Sequence, residues 1–135
     1  MNTPPKKKIL IIEDDKFLIK VYSDKLMREG FDVSMAISGE EGAGKILEQK
    51  PDLVLLDVVL PQKNGFDILS QIKLNPDTKS IPVIIITNLA QDSDIKTGLE
   101  LGAADYLVKT DFSINKLPEL VRKHLAKAEN QSQNS

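Results

Sequence analysis

Within residues 51–65, one carboxylate, that of Asp57, directly follows an apolar run. Residues 53–56 are Leu-Val-Leu-Leu, and Asp57 follows them. A continuous apolar run of this kind is typical of a strand that is buried on both faces, as in a parallel sheet covered by helices. Ligands of open α/β sheets bind at the carboxyl ends of the strands. We therefore predict that Asp57 lies at the rim of a sheet, where it is available for chemistry.

Four further polar residues stand at the ends of predicted strands. They are Glu13 and Asp14 after the run 9–12, Thr87 after the run 81–86, and Lys109 after the run 104–108. The carboxyl ends of parallel strands lie at one edge of a sheet, and the first and third strands are neighbours at its topological switch point. The three carboxylates are therefore expected to meet there, with the hydroxyl and the ammonium group nearby.

The convergence of these groups would suit phosphoryl transfer. Three close carboxylates repel one another unless cations compensate. Mg²⁺ is a suitable cation, because it takes oxygen ligands and needs only one or two carboxylates. A metal ion, the Lys109 ammonium and the Thr87 hydroxyl can together position a phosphoryl group and neutralise its oxygens. Asp57 would then be the nucleophile, and its product would be an aspartyl phosphate.

The segments that position these residues alternate between strand and helix patterns. Residues 31–35 add a fifth strand, in which apolar and polar residues alternate as in a half-exposed edge strand. Helical periodicity follows each strand, which predicts an α/β fold. We expect a doubly wound, five-stranded parallel sheet with right-handed crossovers and helices on both faces, forming a three-layer sandwich. The edge pattern of residues 31–35 favours the strand order 2-1-3-4-5.

The second predicted helix, residues 39–50, combines apolar residues with glycine. It is expected to bury three residues: Ala43, Ile46 and Leu47. Gly42 and Gly44 should each weaken it by about 1 kcal/mol relative to alanine.

Length and composition argue against nucleic-acid-binding, membrane-spanning and secreted classes of protein. The chain has 135 residues, enough for one domain with its own core. Its 18 basic and 20 acidic residues give no general attraction to nucleic acid or anionic membrane, and it contains no cysteine. No apolar run approaches the roughly 20 residues of a membrane-spanning helix, and the run after MNTPPKKK is too short for a signal peptide. We expect a cytoplasmic protein with a lead-in at 1–6, one domain at 7–127, and a polar tail or linker start at 128–135.

In these residues and their spacing the chain resembles the receiver domain of two-component response regulators. The matching residues are Glu13 and Asp14 after the first strand, Asp57 with Pro61 and Gly65 behind it, Thr87, and Tyr106 three residues before Lys109. The resemblance extends over residues 7–125. It implies a flavodoxin-like fold with the strand order 2-1-3-4-5, as in single-domain regulators of the chemotaxis type.

The resemblance also implies roles for the residues of the site. Asp57 would accept a phosphoryl group from a histidine kinase or a histidine phosphotransfer protein, and Thr87 and Lys109 would bind its oxygens. The ligands of Mg²⁺ would be Asp57, Asp14 directly, Glu13 through water, and the backbone carbonyl of Val59. The domain would not be an enzyme beyond assisting its own phosphorylation and dephosphorylation.

Tyr106 would connect the site to partners. The resemblance implies that it swings between outward and inward rotamers as Thr87 is drawn toward the phosphoryl group. That movement would remodel the face formed by the fourth helix, the fifth strand and the fifth helix. A downstream protein or an output domain would dock on this face, and the domain itself would bind neither nucleic acid nor membrane.

Three residues depart from the family's pattern. Thr110 stands where a proline, often after a cis bond, usually follows the lysine. A cis bond to a non-proline residue costs about 3 kcal/mol, so we expect a trans bond and a differently shaped loop at 110–113. Asn88 replaces a small residue and is expected to alter dephosphorylation. Val59 replaces the polar residue of fast-hydrolysing members, from which we hypothesise a long-lived phosphoryl form.

Three other functions fit parts of the pattern. A phosphorylation-independent receiver, acting as a protein-docking module, would fit Asn88 and Thr110 but not the intact set of acids, threonine and lysine. A phosphatase of the haloacid dehalogenase type needs a second aspartate two residues after the nucleophile, where Val59 stands. A cobalamin-binding domain of similar topology needs a loop histidine. The only histidine, His124, lies in the last predicted helix, where we expect it on the surface.

Overall fold

A computed structural model describes residues 5–133 of the chain. Five strands and five α-helices alternate along it: β1 (Lys8–Ile12), α1 (Lys16–Arg28), β2 (Asp32–Ala36), α2 (Gly39–Gln49), β3 (Leu53–Leu56), α3 (Gly65–Leu74), β4 (Val83–Thr87), α4 (Asp92–Glu100), β5 (Asp105–Val108) and α5 (Leu117–Gln133). One turn of 3-10 helix, Ile114–Lys116, precedes α5. The predicted alternation is therefore confirmed, while residues 1–4 of the predicted lead-in and 134–135 of the predicted tail lie outside the described part.

The five strands form one parallel sheet in the order β2-β1-β3-β4-β5, as predicted. β1 and β3 pair with Ile12 opposite Leu56. The backbone N–H of Asp57 donates to the carbonyl oxygen of Ile12 at 3.0 Å. Because of this register, the next residues of the two strands, Glu13 and Asp57, leave the sheet side by side.

Helices cover both faces of the sheet. On one face Leu10 belongs to a buried cluster with Ile46 of α2 and Ile68 of α3. On the other face Ile11 belongs to a cluster with Leu26 of α1 and with apolar residues of α5. Successive strand residues point to opposite faces, so a wholly apolar strand contributes to both clusters. The predicted three-layer sandwich is thereby confirmed.

Two side chains lie elsewhere than the sequence predicts. Leu47, predicted to be buried, is 55% exposed. With 3.6 residues per turn it is rotated away from the buried Ile46, and it lines a groove between α2 and α3. His124, predicted on the surface, is only 5% exposed. It lies on the same face of α5 as the buried Val121, and its Nε2 is 2.9 Å from Oδ2 of Asp105, which gives the ring a polar partner.

The last helix extends into the predicted polar tail. It continues to Gln133, through residues 128–133 of the segment expected to be an irregular polar tail. Alanine, glutamate and glutamine in this segment are good helix formers, and Oε1 of Glu129 lies 2.6 Å from Nζ of Lys7. The stretch lacks an apolar stripe, so periodicity did not reveal it. None of the helices in residues 5–133, α5 included, has the length and apolar character needed to cross a membrane.

The two glycines of α2 should respond oppositely to alanine. A Cβ added at Gly42 would lie 2.5 Å from Cδ1 of the fully buried Ile12, whereas one at Gly44 would meet nothing within 4 Å. We expect Gly42→Ala to lower the free energy of unfolding by about 1–3 kcal/mol through overpacking. We expect Gly44→Ala to raise it by up to about 1 kcal/mol through helix propensity. Urea unfolding measures both, and equal effects would contradict the close approach of α2 to β1.

Candidate functional site

Three carboxylates meet at the carboxyl edge of the sheet. Glu13, Asp14 and Asp57 each place one oxygen within 4.8 Å of the others. Glu13 and Asp57 are only 2% and 6% exposed, whereas Asp14 is exposed. Oxygen ligands that converge in this way, partly open to solvent, are the set that a hard divalent cation prefers. The predicted convergence of these three residues is therefore observed, and their chemistry fits a metal ion.

The ammonium group of Lys109 lies between the two buried carboxylates. Its Nζ is 2.6 Å from Oδ2 of Asp57 and 2.6 Å from Oε1 of Glu13. Lys109 reaches this position because β5 pairs with β4 in register, and its backbone N–H donates to the carbonyl oxygen of Thr87 at 2.8 Å. One cation therefore offsets the repulsion between two anions. The contact to Glu13 was not predicted from the sequence.

Backbone N–H groups orient the carboxylates from the other side. Oδ1 of Asp57 accepts from the N–H of Val59 at 2.9 Å. Oε2 of Glu13 accepts from the N–H groups of Asp14 and Asp15 at 3.0 and 3.2 Å. In each buried carboxylate, one oxygen thus pairs with the Lys109 ammonium. The other oxygen accepts a hydrogen bond from the turn that follows its strand. The carbonyl of Val59 as a metal ligand remains a prediction.

The start of α3 packs directly against the turn that holds Asp57. The N–H of Gly65 donates to the carbonyl oxygen of Val58 at 3.0 Å. A Cβ at Gly65 would collide with Cα of Val58 and with the carbonyl oxygen of Asp57. Asn64 caps the helix by accepting from the N–H of Phe66 at 2.8 Å. A glycine is required here because two backbone segments touch.

Burial and charge set the protonation of the two groups that flank Asp57. Burial raises the pKa of Glu13 to about 7, and the negative charge of Asp57 adds to this effect, against the opposing hydrogen bonds from Lys109 and the backbone. Burial alone would lower the pKa of Lys109, but its hydrogen bonds to Asp57 and Glu13 and their charges raise it above its usual value. Lys109 is therefore a cation at neutral pH, and a metal ion in the cluster would compete with a proton on Glu13.

Thr87 and Tyr106 are linked through Leu89, in the segment between β4 and α4. Thr87 is fully buried, and its Oγ1 accepts from the N–H of Leu89 at 3.4 Å. The hydroxyl of Tyr106 donates to the carbonyl oxygen of the same Leu89 at 2.7 Å. Burial raises the pKa of Tyr106 to about 12, so the phenol stays a donor. Leu89 was missed by sequence reasoning because it acts through its backbone, which leaves no signature in residue type.

The departures from the family's pattern all lie near the site. Residues 5–133 contain no cis peptide bond, so the bond before Thr110 is trans, as predicted. Asn88 is exposed beside the buried Thr87, and the Val59 side chain is 52% exposed. Both side chains are therefore open to solvent, next to or near residues of the site.

Comparison with protein families gives one match over most of the chain. The model described as the response regulator receiver domain matches residues 9–122. Among curated proteins, the probable transcriptional regulator ycf27 of Porphyridium aerugineum is 35% identical over 96% of this chain and 52% of its own length. The alkaline phosphatase synthesis transcriptional regulatory protein PhoP of Bacillus subtilis is 36% identical over 91% of this chain and 50% of its own. The chain thus spans about half the length of the curated relatives it matches.

Two solved receiver domains have a similar fold over almost their whole length. The CheY-like receiver domain protein of Methanospirillum hungatei superposes with a TM-score of 0.86 at 29% identity, covering 94% of this chain and 99% of the other. The receiver domain of a putative LuxO repressor protein of Vibrio parahaemolyticus gives 0.88 at 27% identity, covering 97% and 98%. Both superpositions cover nearly all of this chain.

A divalent cation should stabilise the fold through Asp14. At about ten times its dissociation constant, Mg²⁺ should raise the free energy of unfolding by about 1.4 kcal/mol. Asp14→Asn should lose most of this increase. Asp15→Asn is the matched control, because Asp15 caps α1 by accepting from the N–H of Phe17 at 2.9 Å, and asparagine caps equally well. Thermal unfolding with and without Mg²⁺ measures the effect, and equal stabilisation of both variants would contradict the site.

Proposed function

The chain belongs to the response regulator receiver family, and we propose that Asp57 accepts a phosphoryl group from a histidine kinase or a histidine phosphotransfer protein. One observation carries the proposal: a cation, Lys109, lies 2.6 Å from Asp57 within a cluster of three carboxylates. A fixed ammonium beside a nucleophilic carboxylate is placed to stabilise the charge that gathers on phosphoryl oxygens during transfer. The domain is a signalling phosphoacceptor that assists its own phosphorylation and dephosphorylation, not an enzyme for other substrates.

The proposed step exchanges one bond to phosphorus for another. An oxygen of ionised Asp57 attacks the phosphorus of a phosphohistidine. The bond between phosphorus and the imidazole nitrogen breaks, its electron pair stays on the imidazole, and an acyl phosphate forms on Asp57. Lys109 and the hydroxyl of Thr87 bind the phosphoryl oxygens. Lys109 uses two of its three N–H donors on Asp57 and Glu13, so its third is available as the group arrives.

The residues at the site fit Mg²⁺ as the cofactor. We assign Asp14 and Asp57 as direct ligands, the carbonyl of Val59 as a third, and Glu13 as a ligand through water. Glu13 already accepts hydrogen bonds from Lys109 and from two backbone N–H groups, which suits an indirect role. When bound, the ion supplies positive charge to the phosphoryl oxygens.

We propose that the signal leaves the site through Leu89. Its N–H donates to Thr87 and its carbonyl accepts from Tyr106, so movement of Thr87 toward a phosphoryl group releases one end of this link. The Tyr106 ring lies against the backbone of α4, where a Cβ added at Gly98 would be 2.9 Å from Cδ2. A change of Tyr106 rotamer therefore alters the face formed by α4, β5 and α5, and a downstream protein or output domain docks there.

The names and lengths of its relatives suggest the kind of signalling system in which the domain acts. Several curated relatives are named as transcriptional regulators, one of them as DNA-binding, and they are about twice as long as the matched region. We propose that this domain supplies the cytoplasmic phosphoacceptor part of a two-component system, and that it contacts neither nucleic acid nor membrane itself.

A small acyl phosphate tests the proposal without a cognate kinase. Incubation with acetyl phosphate and Mg²⁺ should add one phosphoryl group per chain, because the acceptor and its cations belong to the same domain. The added mass should be absent from Asp57→Asn and present in Asp15→Asn, which removes a neighbouring acid outside the cluster. Intact-protein mass spectrometry measures the change. No added mass on the unmodified sequence would instead support a phosphorylation-independent docking module.

A further inference from the structure

A polar cleft opens at the amino edge of the sheet. It lies opposite the carboxyl edge, where Asp57 is. It has a volume of about 640 Å³ and lies where α3, the segment before β4 and α5 meet. Its polar lining residues are Lys73, Lys79, Ser80, His124, Lys127 and Gln131, and no aspartate or glutamate lines it. A volume of this size is typical of small-molecule sites. In a chain of net charge −2, a cleft with three lysines and no acid is a local concentration of positive charge.

Lys73 is the fixed member of this lining. It is half-buried, and its Nζ donates to the carbonyl oxygens of Lys79 at 3.1 Å and of Ile81 at 2.7 Å. An ammonium has three donors, so one remains. Burial lowers the pKa of Lys73, which reflects the cost of keeping its charge away from water. Two backbone carbonyls position the charge without neutralising it.

No nearby acid neutralises the lysines of the cleft. In the described part of the chain, no carboxylate oxygen lies within 4.0 Å of Nζ of Lys73, Lys79 or Lys127. Asp105 is near the cleft and keeps its negative charge, but both of its oxygens are already hydrogen-bonded. Oδ1 accepts from the N–H of Tyr106 at 2.9 Å, and Oδ2 lies 2.9 Å from Nε2 of His124. Three lysines against this one carboxylate leave the cleft with a net positive charge for a ligand.

We propose that this cleft binds a small molecule that carries two or more phosphate charges. Lysine binds phosphate as a point charge, and the exposed Lys79 and Lys127 approach from two different elements around the half-buried Lys73. A singly charged anion would gain little from exposed lysines, because salt screens them. No phenylalanine, tyrosine or tryptophan lines the cleft. The one imidazole, that of His124, is buried beside Asp105, so recognition depends on charge and not on stacking with a base.

The cleft is separate from the phosphoacceptor site. Pro82, immediately before β4, lines the cleft, whereas Thr87 ends the same strand at the acidic cluster. A strand of this length separates the two by about 15 Å. The three carboxylates at the far edge repel an anion when metal is absent, so the two sites can be distinguished in metal-free buffer.

Pyrophosphate is the probe that tests the proposal. In metal-free buffer of constant ionic strength, titration of the ¹⁵N-labelled chain should give saturable shifts of amides in residues 79–81, 102–104 and 127–131. Lys79→Glu and Lys127→Glu should each weaken binding about tenfold, which corresponds to 1.4 kcal/mol. Lys123→Glu is the matched control. It changes the net charge equally, one turn earlier on α5, at an exposed residue that does not line the cleft.

Several outcomes would overturn the proposal. Shifts that do not saturate, or equal weakening by Lys123→Glu and Lys127→Glu, would indicate only nonspecific attraction to surface lysines. Shifts confined to residues 57–59 and 87–89 would place the anion at the phosphoacceptor site. The exposed residues Lys79 and Lys127 carry this test, because Lys73→Met would also remove the two hydrogen bonds to the backbone and so alter the fold.

Discussion

One ammonium group between two buried carboxylates is the interaction on which the site depends. Asp57 and Glu13 are almost fully buried, and Lys109 lies 2.6 Å from each. Buried anions without compensation are costly, and removing one member of a buried pair typically costs about 3–5 kcal/mol. The same ammonium that lets the acids coexist is the group best placed to bind phosphoryl oxygens. The position of the Lys109 ammonium therefore matters both for the stability of the fold and for the proposed phosphoryl transfer.

The rest of the fold brings these three groups to one place. The pairing of Ile12 with Leu56 sets Glu13 beside Asp57, and the pairing of β4 with β5 carries Lys109 to the same edge. Gly65 then lets α3 touch the turn behind Asp57. The wholly apolar strands hold this geometry rigidly, because each contributes to the cores on both faces of the sheet.

The sequence predicts the fold and the members of the site, but not all of their contacts. Continuous apolar runs predict a parallel sheet, and polar residues at strand ends predict what meets at its edge. The contact of Lys109 with Glu13 depends on how far a flexible side chain reaches, which residue spacing does not specify. His124 was misplaced because a single polar residue on an amphipathic helix can be buried when another element, here β5, supplies a partner. The role of Leu89 lies in its backbone, so its residue type gives no signal.

A double-mutant cycle on the metal-free protein tests the shared ammonium most directly. Lys109→Met should destabilise the fold by about 3 kcal/mol or more, because two carboxylates stay buried without their cation. In a Glu13→Gln background the same substitution should cost at least about 1 kcal/mol less, because only one carboxylate is then left without its cation. Urea unfolding of the four proteins gives both costs. An equal cost of Lys109→Met in the two backgrounds would contradict the account, since it would mean that the ammonium and Glu13 do not interact.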